Sequence, residues 1–284
     1  MNDNLKIIIA VILTAVICIA GSAVVFGGDA ENANKKQTLV VTGSTTVQPL
    51  MNQFQESFEE YANISMNVTG GGSSAGASAV LQKTADIGMM SRDPKQAEIE
   101  GGLEVTIIGM DAVVVIVSKD AGVNNLTVEE IAKIYSGIYT NWKELGGNDK
   151  KINPIVREEG SGTRDCIEEA LAKALEGYET SNSYPAEAST GSMKTRVENT
   201  SGAIGYVSLS AASDLSANTV TVAVNGVEAS VETVSNGEYS ISRNLILVTN
   251  GEPTGMSAFF LSWVLSPQGQ KIVEDMGFIK IISQ

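Results

Sequence analysis

LVVTGSTTVQPLMNQFQESFEEYANISMNVTGGGSSAGASAVL, residues 39–81, holds one pattern twice. Leu39-Val40-Val41 is a short apolar run and Gly43-Ser44-Thr45-Thr46 a turn rich in hydroxyls. Val47, Leu50, Met51, Phe54, Phe58 and Tyr61 then recur at spacings of three and four. Those spacings put the apolar side chains on one helical face, and a hydroxyl ahead of the first turn accepts from an amide that the helix leaves unpaired. In the second copy Ile64, Met66 and Val68 alternate as a strand, Thr69-Gly70-Gly71-Gly72-Ser73-Ser74 is the turn, and Ala77, Val80 and Leu81 line a helix. Strand, hydroxyl turn, helix, repeated, is the signature of an α/β fold.

Further along, Asp86-Ile87-Gly88-Met89 reads as a third strand ending at Ser91-Arg92-Asp93-Pro94. Asp111–Ser118 (DAVVVIVS) is an unbroken run dominated by β-branched residues, suited to a strand buried on both faces or crossing between lobes. Thr127-Val128-Glu129-Glu130 fits a capping box opening a helix through Tyr135, and Ile152–Val156 reads as a strand. Arg157-Glu158-Glu159-Gly160-Ser161-Gly162-Thr163 is a third junction, whose helix carries Ile167, Ala170, Leu171 and Ala174. Strands are expected at Ala203–Ser208 and Val220–Val224, a second apolar run at Ile241–Val248, and closing helices at Ser257–Leu265 and Gln268–Met276. Met89-Met90 and Trp142 read as core.

Ahead of this body, Ile7–Phe26 (IIIAVILTAVICIAGSAVVF) is long enough to cross a hydrocarbon layer of roughly 30 Å as a helix. A secretory apolar core is shorter, roughly 7–15 residues, which favours an uncleaved anchor over a removed signal, while Ala20-Gly21-Ser22-Ala23 keeps cleavage open. Ile17 before Cys18 argues against lipidation, because a small residue is expected there. Gly27–Gln37 reads as a polar linker. Cys166 is the one thiol outside the apolar segment, so no internal disulfide is expected in the body.

Composition narrows the function. The 284 residues include no His, which removes Ser-His-Asp and Cys-His hydrolases and His-ligated zinc. Lys and Arg number 19 against 33 Asp and Glu, a net charge of −14 that disfavours nucleic acid as a partner. Gly72-Ser73-Ser74-Ala75-Gly76 matches a nucleophile elbow but lacks the histidine that a triad needs, and no glycine turn ends in the Gly-Lys-Ser/Thr of a phosphate-loop NTPase.

What the three turns share is a set of neutral donors at helix N-termini, where unpaired amides and the helix dipole attract anions. If they converge, they form an oxyanion cage to which Arg157 or Arg92, two of the five arginines, supplies a bidentate countercharge. Any one turn could be capping alone; three with two arginines nearby point to a site.

In order and spacing, residues 41–50 (VTGSTTVQPL), 70–74 (GGGSS), 85–92 (ADIGMMSR), 135–144 (YSGIYTNWKE), 157–164 (REEGSGTR) and 202–207 (GAIGYV) resemble the phosphate-binding component of ABC-type phosphate importers. The resemblance implies a type II periplasmic-binding-protein fold. Two α/β lobes would be joined by two crossover strands near 112–118 and 241–248, with residues 38–112 and 241–284 in lobe 1, 113–240 in lobe 2, and residues 1–26 ahead as anchor or signal. It implies anion contacts at Thr45, Thr46, Ser73, Ser91, Arg157, Glu159, Ser161, Gly162 and Thr163, to which adjacency adds Ser44, Ser74 and Arg92. Ser91 stands where well-known members carry a carboxylate that accepts the phosphate proton, so Glu159 becomes the candidate acceptor, with Asp93 second.

The expected protein is an extracytoplasmic receptor, anchored at the membrane face or secreted if the segment is cleaved. It would capture inorganic phosphate as a monomer and deliver it to ABC permease subunits, without catalysis, metal or cofactor. The alternative ligands are sulfate, molybdate or tungstate, and the rival from another class is a secreted hydrolase or phosphoryl-transfer enzyme.

Overall fold

Thr38–Gly43 (β1) pairs in parallel with Ser65–Gly70 (β2) on one side and Ile87–Met90 (β3) on the other, in a computed structural model that describes residues 37–62 and 64–281. The expected anchor and nearly all of the linker lie outside the described residues. Between β1 and β2 runs Gln48–Ala62 (α1), which buries Leu50, Met51, Phe54 and Phe58 as their spacing requires. Ser73–Leu81 (α2) links β2 to β3, and Gln96–Glu100 (α3) follows. The chain therefore leaves β1 for β2 and returns to β1's other edge. That reversal opens a crevice beyond the strands' carboxyl ends, where open α/β sheets place ligands.

The apolar run extends further than its β-branched core, into a 16-residue strand, Leu103–Ser118 (β4), with every residue from Asp111 to Ser118 buried. Two short strands, Asn125–Leu126 (β5) and later Ala223–Val224 (β11), pair in parallel beside it. Val128–Tyr135 (α4) opens with the expected capping box, in which Thr127 Oγ1 accepts from the Glu130 amide at 3.1 Å and Glu130 Oε2 from the Thr127 amide at 2.7 Å. The expected strand at 152–156 is divided into Asn153–Pro154 (β6) and Val156–Arg157 (β7), because the chain changes partner: the Asn153 and Ile155 amides bond the Gly202 and Ile204 carbonyls, while the Val156 amide bonds the Pro185 carbonyl and β7 pairs with Ala186–Glu187 (β8). Gly162–Ala174 (α5) precedes β8, and Thr190–Glu198 (α6) follows it.

Ala203–Ser208 (β9) is buried throughout. Leu209–Ala212 (α7), Thr219–Thr221 (β10) and Val231–Ser235 (α8) lead to Ser242–Asn250 (β12), and Gly255–Val264 (α9) and Pro267–Asp275 (α10) close the described chain. The main sheet runs β2-β1-β3-β12-β4-β9-β6, with β10 also on β4. Strand β12 pairs antiparallel with β4 from Ser242–Ala112 to Asn250–Leu103, so the two long apolar strands lie side by side at the middle of the sheet.

One hydrophobic core draws on residues from Ala112 to Ile241 with Ile279, and two others draw on Leu39–Ile108 and Leu245–Phe278. In one of these Phe54, Phe260 and Trp263 meet edge-on or stacked at ring separations of 5.9–6.3 Å. Full burial of each such ring contributes about 1.5–3 kcal/mol. Trp142 and Met89-Met90 are fully buried, as expected. Among the described residues no helix is long and apolar enough to cross a membrane.

Candidate functional site

Ser44 follows β1, Ser73 opens α2 after β2, and Ser91 follows β3, so three adjacent strand ends carry three hydroxyls to one place. Ser44 Oγ donates to Ser91 Oγ at 2.9 Å, Ser73 Oγ lies 3.4 Å from Ser91 Oγ, and the Ser91 amide donates to Ser73 Oγ at 3.1 Å. Ser44 Oγ also accepts from the Thr46 amide at 3.2 Å, which caps the turn into α1. All three serines are buried.

The N-terminus of α5 meets this group from the other side. Gly162 packs so closely that a methyl in its place would overlap Ser73 Oγ and come within 2.8 Å of Ser91 Oγ. Thr163 Oγ1 lies 3.1 Å from Thr46 Oγ1, and the Ser74 amide donates to the Gly160 carbonyl at 3.1 Å. Ser161, the N-cap, accepts from the Arg164 amide at 3.3 Å. The Gly162 and Thr163 amides stand ahead of the helix's own ladder, at the positive end of its dipole.

Arg157, 1 % exposed, donates from Nη2 to Thr45 Oγ1 at 3.1 Å and from Nη1 to Thr190 Oγ1 at 3.2 Å. Its backbone is fixed as well: its amide donates to Tyr206 Oη at 2.9 Å, and its carbonyl accepts from Arg164 Nη1 at 2.9 Å. Burial, the first cause, pushes the Tyr206 phenol well up, so it stays protonated here. A bidentate pair with Glu158, at 2.7 and 2.8 Å, holds the guanidinium in plane.

Direction matters more than distance among these hydroxyls. A guanidinium only donates, so Thr190 Oγ1 must accept from Arg157, and Thr163 Oγ1 must accept from Arg243 Nη1 at 2.8 Å. Each threonine then sends its single proton elsewhere, and both face Thr46 Oγ1, at 3.0 and 3.1 Å. With a single proton of its own, Thr46 can donate to only one of them, so at least one of the two threonines donates to Thr46. Thr45 Oγ1 likewise accepts from Arg157 and from the Thr190 amide at 3.3 Å. The cluster brings hydroxyl, backbone amide and guanidinium donors to one place, the arrangement that suits an anion.

Of the residues expected at a site, the structure brings together Ser44, Thr45, Thr46, Ser73, Ser91, Arg157, Ser161, Gly162 and Thr163. Arg92 is turned to a different task. Its Nη atoms bond both oxygens of Glu98 at 2.8 Å, Nη2 donates to Ser74 Oγ at 3.0 Å, and Nε lies 2.8 Å from Asp165 on α5. Burial alone would lower the Arg92 guanidinium, but the Glu98 and Asp165 carboxylates outweigh it and raise it. Glu159 is exposed, and it is Glu158 that meets Arg157. Asp93 reaches only Asn244, at 3.5 Å.

Two participants escaped sequence reading. Thr190 begins α6 within Ser189-Thr190-Gly191-Ser192, a fourth hydroxyl and glycine turn, hidden because its preceding strand, β8, is only two residues long. Arg243 on β12 sits opposite Asp111 on β4 and bonds its Oδ2 from Nε at 3.0 Å and from Nη2 at 2.7 Å. Burial pushes the Asp111 carboxyl up, against the pull of Arg243 and of the Leu209 amide.

Known proteins share this sequence pattern and fold. A model of the PBP superfamily domain matches residues 28–268. The phosphate-binding protein PstS of Bacillus subtilis is 33 % identical over 99 % of this chain and 95 % of its own length. PstS of Borreliella burgdorferi is 31 % identical over 88 % and 92 %. Among solved structures, a chain from Clostridium perfringens described as a phosphate ABC transporter substrate-binding protein with bound phosphate superposes with a TM-score of 0.80. It is 35 % identical, with 87 % of this chain and 100 % of that one covered. An ABC-type phosphate transport receptor from Vibrio cholerae gives a TM-score of 0.71 at 26 % identity over 85 % and 99 %. The chain belongs to the PBP superfamily and, within it, to the PstS family of phosphate-binding proteins.

Proposed function

We propose that this member of the PstS family captures inorganic phosphate in the buried hydroxyl cluster and delivers it to the permease of an ABC importer, without making or breaking a bond. The observation that carries this reading is the convergence of donor groups. Hydroxyls at four helix starts and one arginine converge on one buried volume. A tetrahedral oxyanion accepts from such donors through several oxygens at once. The phosphate contacts are Thr45, Thr46, Ser73, Ser91, Arg157, Gly162, Thr163 and Thr190, with Ser44 and Ser161 orienting the turns. Arg92 and Ser74 belong to the ion-pair network beside the cluster, and Glu159 has no support from its exposed position.

In this reading residues 38–112 with 241–284 form one lobe and 113–240 the other, supported by cores that divide near those boundaries. Strands β4 and β12 are then the crossovers. The bonds of Thr46 with Thr163 and Thr190, of Arg157 with Thr45, and of Arg92 with Asp165 span the cleft in a closed state. The apolar run at residues 7–26 supports an extracytoplasmic location at the membrane face, with the body acting as a monomer.

A second reading, a fully deprotonated oxyanion such as sulfate, molybdate or tungstate, is favoured by one observation: Glu158, the carboxylate that meets Arg157, is engaged by it through both oxygens. Calorimetric titration of the full-length protein with phosphate, sulfate and tungstate at pH 6 and pH 8 separates the two. Phosphate affinity well above that for sulfate at both pH values supports the first, equal affinities the second, and no heat for any anion overturns both. Arg157→Ala is expected to weaken phosphate binding by about a hundredfold or more, because it removes the one charged donor facing the ligand. Arg164→Ala, which touches only the Arg157 carbonyl and Glu168, should cost far less.

A further inference from the structure

We propose that Arg243 is a positioning residue of the anion site, which directs the Thr163 hydroxyl proton into the cluster while tying Thr163 to the Ser91 turn; the inference rests on the phosphate-receptor reading. Arg243 comes from the middle of the sheet, far in sequence from every turn, and is 7 % exposed. It makes four hydrogen bonds. Nε and Nη2 hold Asp111 Oδ2, while Nη1 donates to the Ser91 carbonyl at 3.1 Å and to Thr163 Oγ1 at 2.8 Å.

Because a guanidinium has no acceptor, Thr163 Oγ1 can use only a lone pair toward it, and the threonine proton is left for Thr46 or a bound oxyanion. A hydroxyl without such a neighbour can rotate its proton to any nearby acceptor and must be reoriented when an anion arrives. Preorganised donors avoid that cost. Arg157 imposes the same direction on Thr190 from the opposite side. Thr46 therefore lies between two threonines, each polarised by its own arginine. Arg157 faces the ligand, whereas Arg243 acts through Thr163. Asp111, wholly buried and paired across the ladder, fixes the Arg243 plane so that Nη1 alone points at the cluster.

A double-mutant cycle in phosphate affinity tests this, with Arg243→Lys as the probe. Lysine keeps the positive charge beside Asp111, but its single nitrogen cannot also hold Thr163 and the Ser91 carbonyl. Arg243→Lys is expected to weaken phosphate binding about tenfold in the otherwise native protein and in a Ser73→Ala background. In a Thr163→Val background, where the hydroxyl it directs is gone, the loss shrinks to less than about twofold. A purely structural role for Arg243 gives the same loss in all three backgrounds, and that result, or no loss at all, overturns the proposal. Should Arg243→Lys fail to fold, the neutral pair Asp111→Asn with Arg243→Gln takes its place in the cycle, since it leaves no buried charge unpaired. Native protein that binds no phosphate overturns the reading of the site and this inference with it. A native protein that binds while the cycle shows no coupling overturns the inference alone.

Discussion

At Gly162 the space for a side chain is already taken. A methyl there would overlap Ser73 Oγ and sit 2.8 Å from Ser91 Oγ and 3.0 Å from the Ser91 carbonyl carbon. The glycine is needed for close approach of α5 to the β3 turn, which places the Gly162 and Thr163 amides beside the proposed phosphate site. Gly162→Ala is therefore expected to hold that approach apart, lowering phosphate affinity by at least about tenfold. The stability cost stays within about 1–3 kcal/mol, the range for one extra methyl in a packed site. Calorimetry with a thermal melt separates the two effects. Unchanged affinity would show that α5 does not close on the ligand. Cys166, one turn further along α5, is not part of this chemistry; burial pushes its thiol up to about 11.

At the scale of elements, helix starts were the most legible feature and the most informative. The Thr127–Glu130 capping box was readable because both partners lie within four residues, and the structure forms both of its hydrogen bonds. Thr127→Ala should cost about 1 kcal/mol of stability, seen as a lowered melting temperature, and leave phosphate affinity unchanged, because α4 contributes nothing to the cluster. The turns at Ser44–Thr46, Ser73-Ser74 and Ser161–Thr163 were legible on the same local grounds. Their convergence was not, because it depends on β2-β1-β3 order, which no single turn encodes. The turn at Ser189–Ser192 carried the same letters, but its two-residue strand left no alternation to mark it. Arg243 had no local signal at all: its partners Thr163 and Asp111 stand 80 and 132 positions away in the chain. Glu158 and Glu159 differ in sequence by one step, but Glu158, directly after β7, meets Arg157, while Glu159, in the turn that follows, is exposed. Spacing alone could not choose between them.

For the whole molecule, the net charge of −14 opposes its proposed ligand. Long-range field and local site thus act with opposite signs. A phosphate anion approaching from solvent is repelled by the summed excess of carboxylates. Within a few ångströms it is attracted by helix N-termini, hydroxyl dipoles and the Arg157 guanidinium. Salt screens the first interaction far more than the second, because the Debye length falls from about 30 Å at 0.01 M to about 8 Å at 0.15 M while the buried contacts remain shielded from ions. The association rate for phosphate is therefore expected to rise as a non-competing salt is added over that range, with the dissociation rate nearly constant. This is the reverse of what a basic binding surface shows. Stopped-flow measurement of the two rates at constant pH decides it. An association rate that falls with salt would mean that the cleft mouth carries a local positive field strong enough to overcome the molecule's net charge, and capture would then begin at the rim of the cleft instead of at its buried hydroxyls.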